Sequence, residues 1–247
     1  MLRGLIRERR HWGDFAEQLQ AQFPNRTVLS FNLPGNGHLV HLRSPRSITA
    51  MRQSLRIQLR LSSLNTDKID VVAISLGGMV AVDWQAHFPE EINSITLINS
   101  SNASFSPFYQ RLRWQSLGKI LSILFTVNRF QRQLKILQLT SCAPMQHLGV
   151  LVRWLSWSEQ YPVTWQNSLR QLWAAARFRC TDKPKVATLL LSSRQDKLVD
   201  CRCSEVLATH WQCEHKQHPS AGHDLPLDDA EWTVNQLSSW LSLVDPS

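Results

Sequence analysis

The chain has 247 residues, 27 Lys plus Arg against 19 Asp plus Glu, and a formal net charge of +8. That length allows one large domain or two small ones, with a core that needs neither disulfides nor metal to hold it. A hydrophobic content of 43% against 19% charged residues excludes long-range disorder, and the basic balance points to an anionic partner without naming its class.

In chain order, Trp12, Phe15, Leu19 and Phe23 recur at helical spacing. Thr27 to Phe31 is a short β-rich run, followed by the turn-rich Leu33-Pro-Gly-Asn-Gly37. Ile48, Met51, Leu55 and Leu59 predict a helix over 47–62. Ile69 to Ile74 reads as a buried strand, and Gly78 to His87 as a helix after it. Ile92 to Ile98 and Val186 to Leu191 are further strands, and Cys213 to His218 is a weaker one. Glu231 to Val244 closes the chain as a helix. Strands alternating with helices predict an α/β fold with a mostly parallel sheet and helices on both faces.

Residues 101–180 break that rhythm. They carry helical patterns only, such as Phe108 to Phe125 and Leu148 to Trp157, and five of the ten Trp. The expected organisation is a core made of 1–100 and 181–247, with 101–180 inserted as a helical cap or lid.

Charge follows the same division. Residues 1–60 carry ten Arg against Glu8, Asp14 and Glu17. Residues 101–180 carry ten Lys or Arg against Glu159 alone, and the remaining two blocks are net acidic. The N-terminus is basic but has no apolar run of a signal peptide, and no window reaches the length of a spanning helix. Five cysteines, an odd number, fit a reducing cytoplasmic location. Cys201, Cys203, His210 and Cys213 invite a zinc reading, but Cys-x-Cys is tighter than ligand spacing, so ordinary thiols are expected. No metal or cofactor is expected.

The sharpest local feature is Val71-Val-Ala-Ile-Ser75-Leu-Gly-Gly78. A buried strand runs into Ser75 and then into small residues at a helix start. Such a turn exposes the serine hydroxyl above the sheet and needs small residues two before and two after it, here Ala73 and Gly77. The helix N-terminus offers N–H groups to a developing oxyanion. Two later features complete the order Ser, Asp, His: Asp196 just past strand 186–191, and His223 on a Gly-bearing loop past strand 213–218. Alone, Asp196 reads as a turn residue and His223 as a loop histidine; together, each after its own strand, they predict a catalytic set. Asp224, Asp228 and Asp229 compete for the acid role and read instead as loop and helix-start residues.

These residues make the sequence resemble the α/β-hydrolase superfamily over essentially its whole length. Asn32-Leu-Pro-Gly-Asn-Gly37 resembles that family's D-x-P-G-x-G loop, with Asn32 for Asp. Arg3-Gly4-Leu5 through Trp12 resembles its His-Gly oxyanion loop, with Arg3 for His. The layout is most similar to small carboxylesterases such as the biotin-pathway pimeloyl-carrier-protein methyl esterase. The resemblance implies Ser75 as nucleophile, His223 as general base and acid, Asp196 as its orienter, and the backbone N–H groups of Leu5 and Leu76 as the oxyanion hole.

Only Met1 and Leu2 precede the oxyanion loop, where family members have strands. The expectation is either a start codon placed too late, which we favour here, or a gap beside the nucleophile strand with unpaired ladder groups costing about 1–3 kcal/mol each. For partners, the basic, Trp-rich cap suggests a small or carrier-bound anionic acyl ester delivered by an acidic carrier protein, or lipid esters at an anionic membrane surface. No nucleic-acid motif is present. A non-catalytic binding protein on the same fold is the third reading, suggested by Arg3, Ala73 and the short N-terminus.

Overall fold

The computed structural model describes residues 1–62 and 68–244. Helix α1 (Asp14–Gln22) and α2 (Ile48–Leu61) precede strand β1 (Ile69–Ile74), then α3 (Leu76–His87) and β2 (Ile92–Ile98). Five helices follow without a strand: α4 (Phe108–Arg111), α5 (Leu117–Phe125), α6 (Arg129–Thr140), α7 (Leu148–Gln160) and α8 (Trp165–Arg177). The α/β alternation resumes with β3 (Ala187–Ser193), α9 (Arg202–Trp211) and β4 (Glu214–His218), and ends with α10 (Leu225–Asp228) and α11 (Ala230–Val244).

The four strands form one parallel sheet in the order β1-β2-β3-β4. Parallel strands are covered on both faces, so β1 carries the apolar run Val71 to Ile74 and β3 the run Leu189 to Leu191. Alternation along β1 sorts its side chains between two cores. Val71 and Ala73 pack with Met51 and Leu55 of α2, with α3, and with Leu207 of α9. Val72 and Ile74 pack with Phe15 and Leu19 of α1 and with Leu237 and Trp240 of α11. Helix α3 is buried almost all round, and its Asp83 is matched by Arg52 of α2 at 3.2 Å. Strand β4 is polar, with Lys216 near its middle, as suits an edge.

One expectation changes at the other edge. Thr27 to Phe31 is not a strand; it makes one parallel bridge, Phe31 to Leu2. A β-rich run needs a strand to pair with, and among the described residues its one bridge is to Leu2. The expected gap beside β1 is bridged at Leu2. Leu2 N donates to Val72 O at 2.9 Å, Ile74 N donates to Leu2 O at 3.0 Å, and Phe31 N donates to Met1 O at 3.3 Å. Met1 to Arg3 thus stands where a central strand would, one bridge long on each side.

The predicted helix over Phe108 to Phe125 is broken. Leu112 is extended, with φ −138° and ψ 102°, so α4 stops at Arg111 and α5 starts at Leu117. Helices α6 and α7 share a small core of Leu137, Leu151 and Trp154. The caps are side-chain oxygens: Asn128 accepts from Gln131 N before α6, and Thr164 from Asn167 N before α8.

Candidate active site

All the predicted site residues lie at the C-terminal edge of the sheet, where parallel α/β sheets bind ligands. Ser75 follows β1 with φ 56° and ψ −119°, a conformation that a non-glycine residue holds only when its surroundings enforce it. They do: Ser75 N donates to Ile98 O at 2.9 Å, and Ser100 Oγ donates to Ser75 O at 2.9 Å. Gly77 has no room for a side chain. The nearest atoms to a Cβ there belong to Leu2 and Arg3, with Leu2 O at 2.6 Å, rather than to Ala73. The oxyanion-loop candidate therefore packs directly on the turn. On its side Gly4 abuts the serine: a Cβ at Gly4 would lie 3.1 Å from Ser75 Cβ.

Asp196 and His223 meet. Asp196 Oδ2 accepts from His223 Nδ1 at 2.7 Å, with both residues buried. Asp196 Oδ1 accepts from the N–H groups of Leu198 and Val199 at 2.7 and 3.0 Å, so the carboxylate is fixed. With Nδ1 as donor, Nε2 is the ring's acceptor. Among the described residues no hydrogen bond joins Ser75 Oγ to His223. The rival carboxylates are engaged elsewhere. Asp229 accepts from Trp232 N and pairs with His218, and Asp228 accepts from Cys142 N and Gly222 N.

Asp224 has a larger part than a loop residue. It forms a two-pronged ion pair with Arg3, at 3.0 and 2.6 Å, and both side chains are 3% exposed. Burial alone pushes the Asp224 carboxyl up, but Arg3 and then Arg7 outweigh it and hold its pKa below the ordinary value. The Arg3 guanidinium also lies 4.9 Å from the Trp12 ring centroid. The substitution of Arg for His thus binds the oxyanion loop to the residue after His223. Asn32 likewise has its own partners. Its Oδ1 accepts from Arg9 N at 2.7 Å and its amide faces His38 Nδ1 at 2.8 Å. An amide can donate to a neutral imidazole where a carboxylate cannot, and burial, then Arg9, lowers the His38 pKa.

Two buried residues were not singled out from the sequence. Asn99, at φ 46° just past β2, donates to His223 O at 2.9 Å and accepts from Ser193 N at 2.8 Å, joining the β2, β3 and β4 loops. Its signal is an Asn at the end of a buried strand, a place where the left-handed conformation favours it. Gln171 of α8 accepts from Ile6 N at 3.0 Å and donates to Asn36 Oδ1 and Ser44 Oγ. Ile6 sits at φ 61°, unusual for a β-branched residue, so Gln171 holds a strained loop next to Leu5. Nothing in the sequence flags Gln171. Among the described residues no cluster of His, Cys, Asp or Glu is placed to hold a metal.

The profile of the Alpha/beta hydrolase family matches residues 2–236. Monoacylglycerol lipase ABHD6 of Homo sapiens is 25% identical over 247 residues, covering 88% of this chain and 71% of that protein. A thermophilic esterase from Thermogutta terrifontis superposes with TM-score 0.74 at 20% identity, over 98% of this chain and 88% of that one. A serine hydrolase from the polyaromatic-hydrocarbon-degrading bacterium Cycloclasticus zankles superposes with TM-score 0.78 at 14% identity, over 99% and 89%. Among the described residues no helix is long and apolar enough to cross a membrane.

Proposed function

This chain belongs to the alpha/beta hydrolase family and is a hydrolase, and from that premise we propose that it cleaves carboxylic esters with Ser75, His223 and Asp196 as its catalytic set. The observation that carries the reading is the 2.7 Å Asp196–His223 bond on the same sheet edge as a serine held at φ 56°. Ser75 Oγ attacks the ester carbonyl carbon while His223 Nε2 takes its proton. Asp196 keeps Nδ1 protonated and stabilises the imidazolium. The oxyanion is received by Leu76 N, the first N–H of α3, and by Leu5 N. The tetrahedral adduct collapses as His223 returns the proton to the departing alkoxide. Water, deprotonated by His223, then attacks the acyl-enzyme and releases the acid. The Ser75–His223 hydrogen bond forms as substrate closes the site, since such bonds are often long without substrate.

For the substrate, the monoacylglycerol lipase relatives support a glycerol ester of an apolar acyl chain. A panel of p-nitrophenyl acyl esters and monoacylglycerols tests this. Hydrolysis that rises with acyl length, and falls about 10⁶-fold in Ser75→Ala, is expected. A folded protein that cleaves none of them overturns the reading in favour of a non-catalytic binding protein.

A further inference from the structure

We propose that the α5–α6 hairpin is a docking surface for an anionic lipid bilayer. Helix α5 has no buried residue at all, although it is one of the most apolar helices in the chain. Leu117, Leu121 and Leu124 are about half exposed, Phe125 is 81% exposed, Val127 in the turn is 89% exposed, and Phe130 at the start of α6 is 43% exposed. An apolar face of this size is unfavourable in water and marks an interaction site. Singly scattered apolar residues need no such account, but these six lie within 14 consecutive positions.

Charge selects the partner. Lys119 and Arg129 are exposed on the hairpin, and no Asp or Glu occurs anywhere in residues 101–158. Arg132 donates to Thr126 O, and Lys135 to Ser122 Oγ and Thr126 Oγ1. These cations are therefore held on the hairpin by neutral acceptors and keep their charge unmatched. Apolar side chains that enter the acyl region, ringed by cations at headgroup level, describe an interfacial helix. An acidic protein would match the cations but would leave Phe125 and Val127 without an apolar bed.

The hairpin is rooted at the site. At its start, Arg113 Nη1 donates to Asp196 O at 2.8 Å, and Ser116 Oγ donates to Lys197 O at 2.5 Å. At its end, Asp224 N donates to Thr140 O at 2.8 Å, and Lys197 Nζ donates to Ser141 O. Docking the hairpin thus brings the loops of Asp196 and His223 to the surface. The docking itself rests on exposure and charge alone; delivery of a lipid ester to Ser75 rests on the proposed function.

The test is co-flotation of the full chain with phosphatidylcholine vesicles, with and without phosphatidylglycerol. Flotation with the anionic vesicles, weakened by salt, is expected. Leu121→Ser/Phe125→Ser loses flotation, while Lys119→Glu/Arg129→Glu weakens it at least about tenfold and is checked for unchanged melting. Both keep hydrolysis of a short, water-soluble ester, so a catalytic failure is told apart from a docking failure. Equal flotation of the variants, or of wild type with neutral vesicles, overturns the proposal. So does a wild-type dimer that becomes monomeric in the Leu121/Phe125 variant, which assigns the face to a second copy. Retention on an acidic protein without flotation also overturns it.

Discussion

Two stretches of this chain carry ten cationic residues each, and the fold uses them in opposite ways. In residues 1–60, six of the ten arginines meet a carboxylate: Arg3 with Asp224, Arg10 with Glu8, Arg26 with Asp70, Arg52 with Asp83, and Arg56 and Arg60 with Glu91. In residues 101–180, among the described residues only Arg153 does, at 3.5 Å from an exposed Asp14. The first set consumes the acidic blocks of the core and becomes internal structure. The second set turns to backbone carbonyls, as Arg111 does to Ala175 and Ala176, or to water. Composition alone makes the two stretches look alike. What separates them is whether a carboxylate is brought within reach by the fold, in the case of Arg3 from 221 positions away.

The contrast is sharpest at Arg3. Arg3→Met leaves Asp224 buried and unpaired and is expected to cost about 3–5 kcal/mol in urea unfolding. A cost under about 1 kcal/mol breaks the comparison, because Arg3 then behaves as a surface cation. Acid sharpens it further. The folded Asp224 pKa is depressed, so its contribution is fully present above the unfolded value and is lost as pH falls through the folded value. Wild-type melting therefore drops steeply below about pH 4, and Asp224→Asn, already destabilised, drops less steeply.

Smaller effects are expected where neutral hydrogen bonds replace ion pairs. Gln171→Leu strands Ile6 N and is expected to cost about 1–3 kcal/mol. If Leu5 N serves the oxyanion hole, kcat also falls by about 10²-fold or more with little change in KM. Arg113→Ala, which removes the donor to Asp196 O, is expected to cost about 1 kcal/mol by the same measurement. At the bottom, Arg129→Gln stays within about 0.5 kcal/mol. Its effect belongs to vesicle flotation and not to stability. An Arg129 effect on unfolding as large as that of Arg3 contradicts the division between the two regions.

Much of the core was legible because buried parallel strands announce themselves. Ile69–Ile74 and Ile92–Ile98 lie where the apolar runs place them, and β3 and β4 fall within two residues of theirs. The Asp196–His223 contact was legible through chain order after successive strands. Thr27 to Phe31 misled because β propensity is only half of a strand; the pairing partner is the other half. The break at Leu112 is a backbone choice that apolar spacing does not encode. Gln171 and the Arg3–Asp224 pair share one cause of invisibility. Each acts through contacts between distant segments, and a polar residue carries no periodic signal of its own.

The central claim is that Ser75 is an activated nucleophile, and fluorophosphonate labelling of the folded full-length chain tests it most directly. The account predicts one modified peptide, containing Ser75, with labelling abolished in Ser75→Ala and strongly slowed in Asp196→Asn. A native, folded protein that stays unlabelled, or that labels equally well in Ser75→Ala, contradicts it.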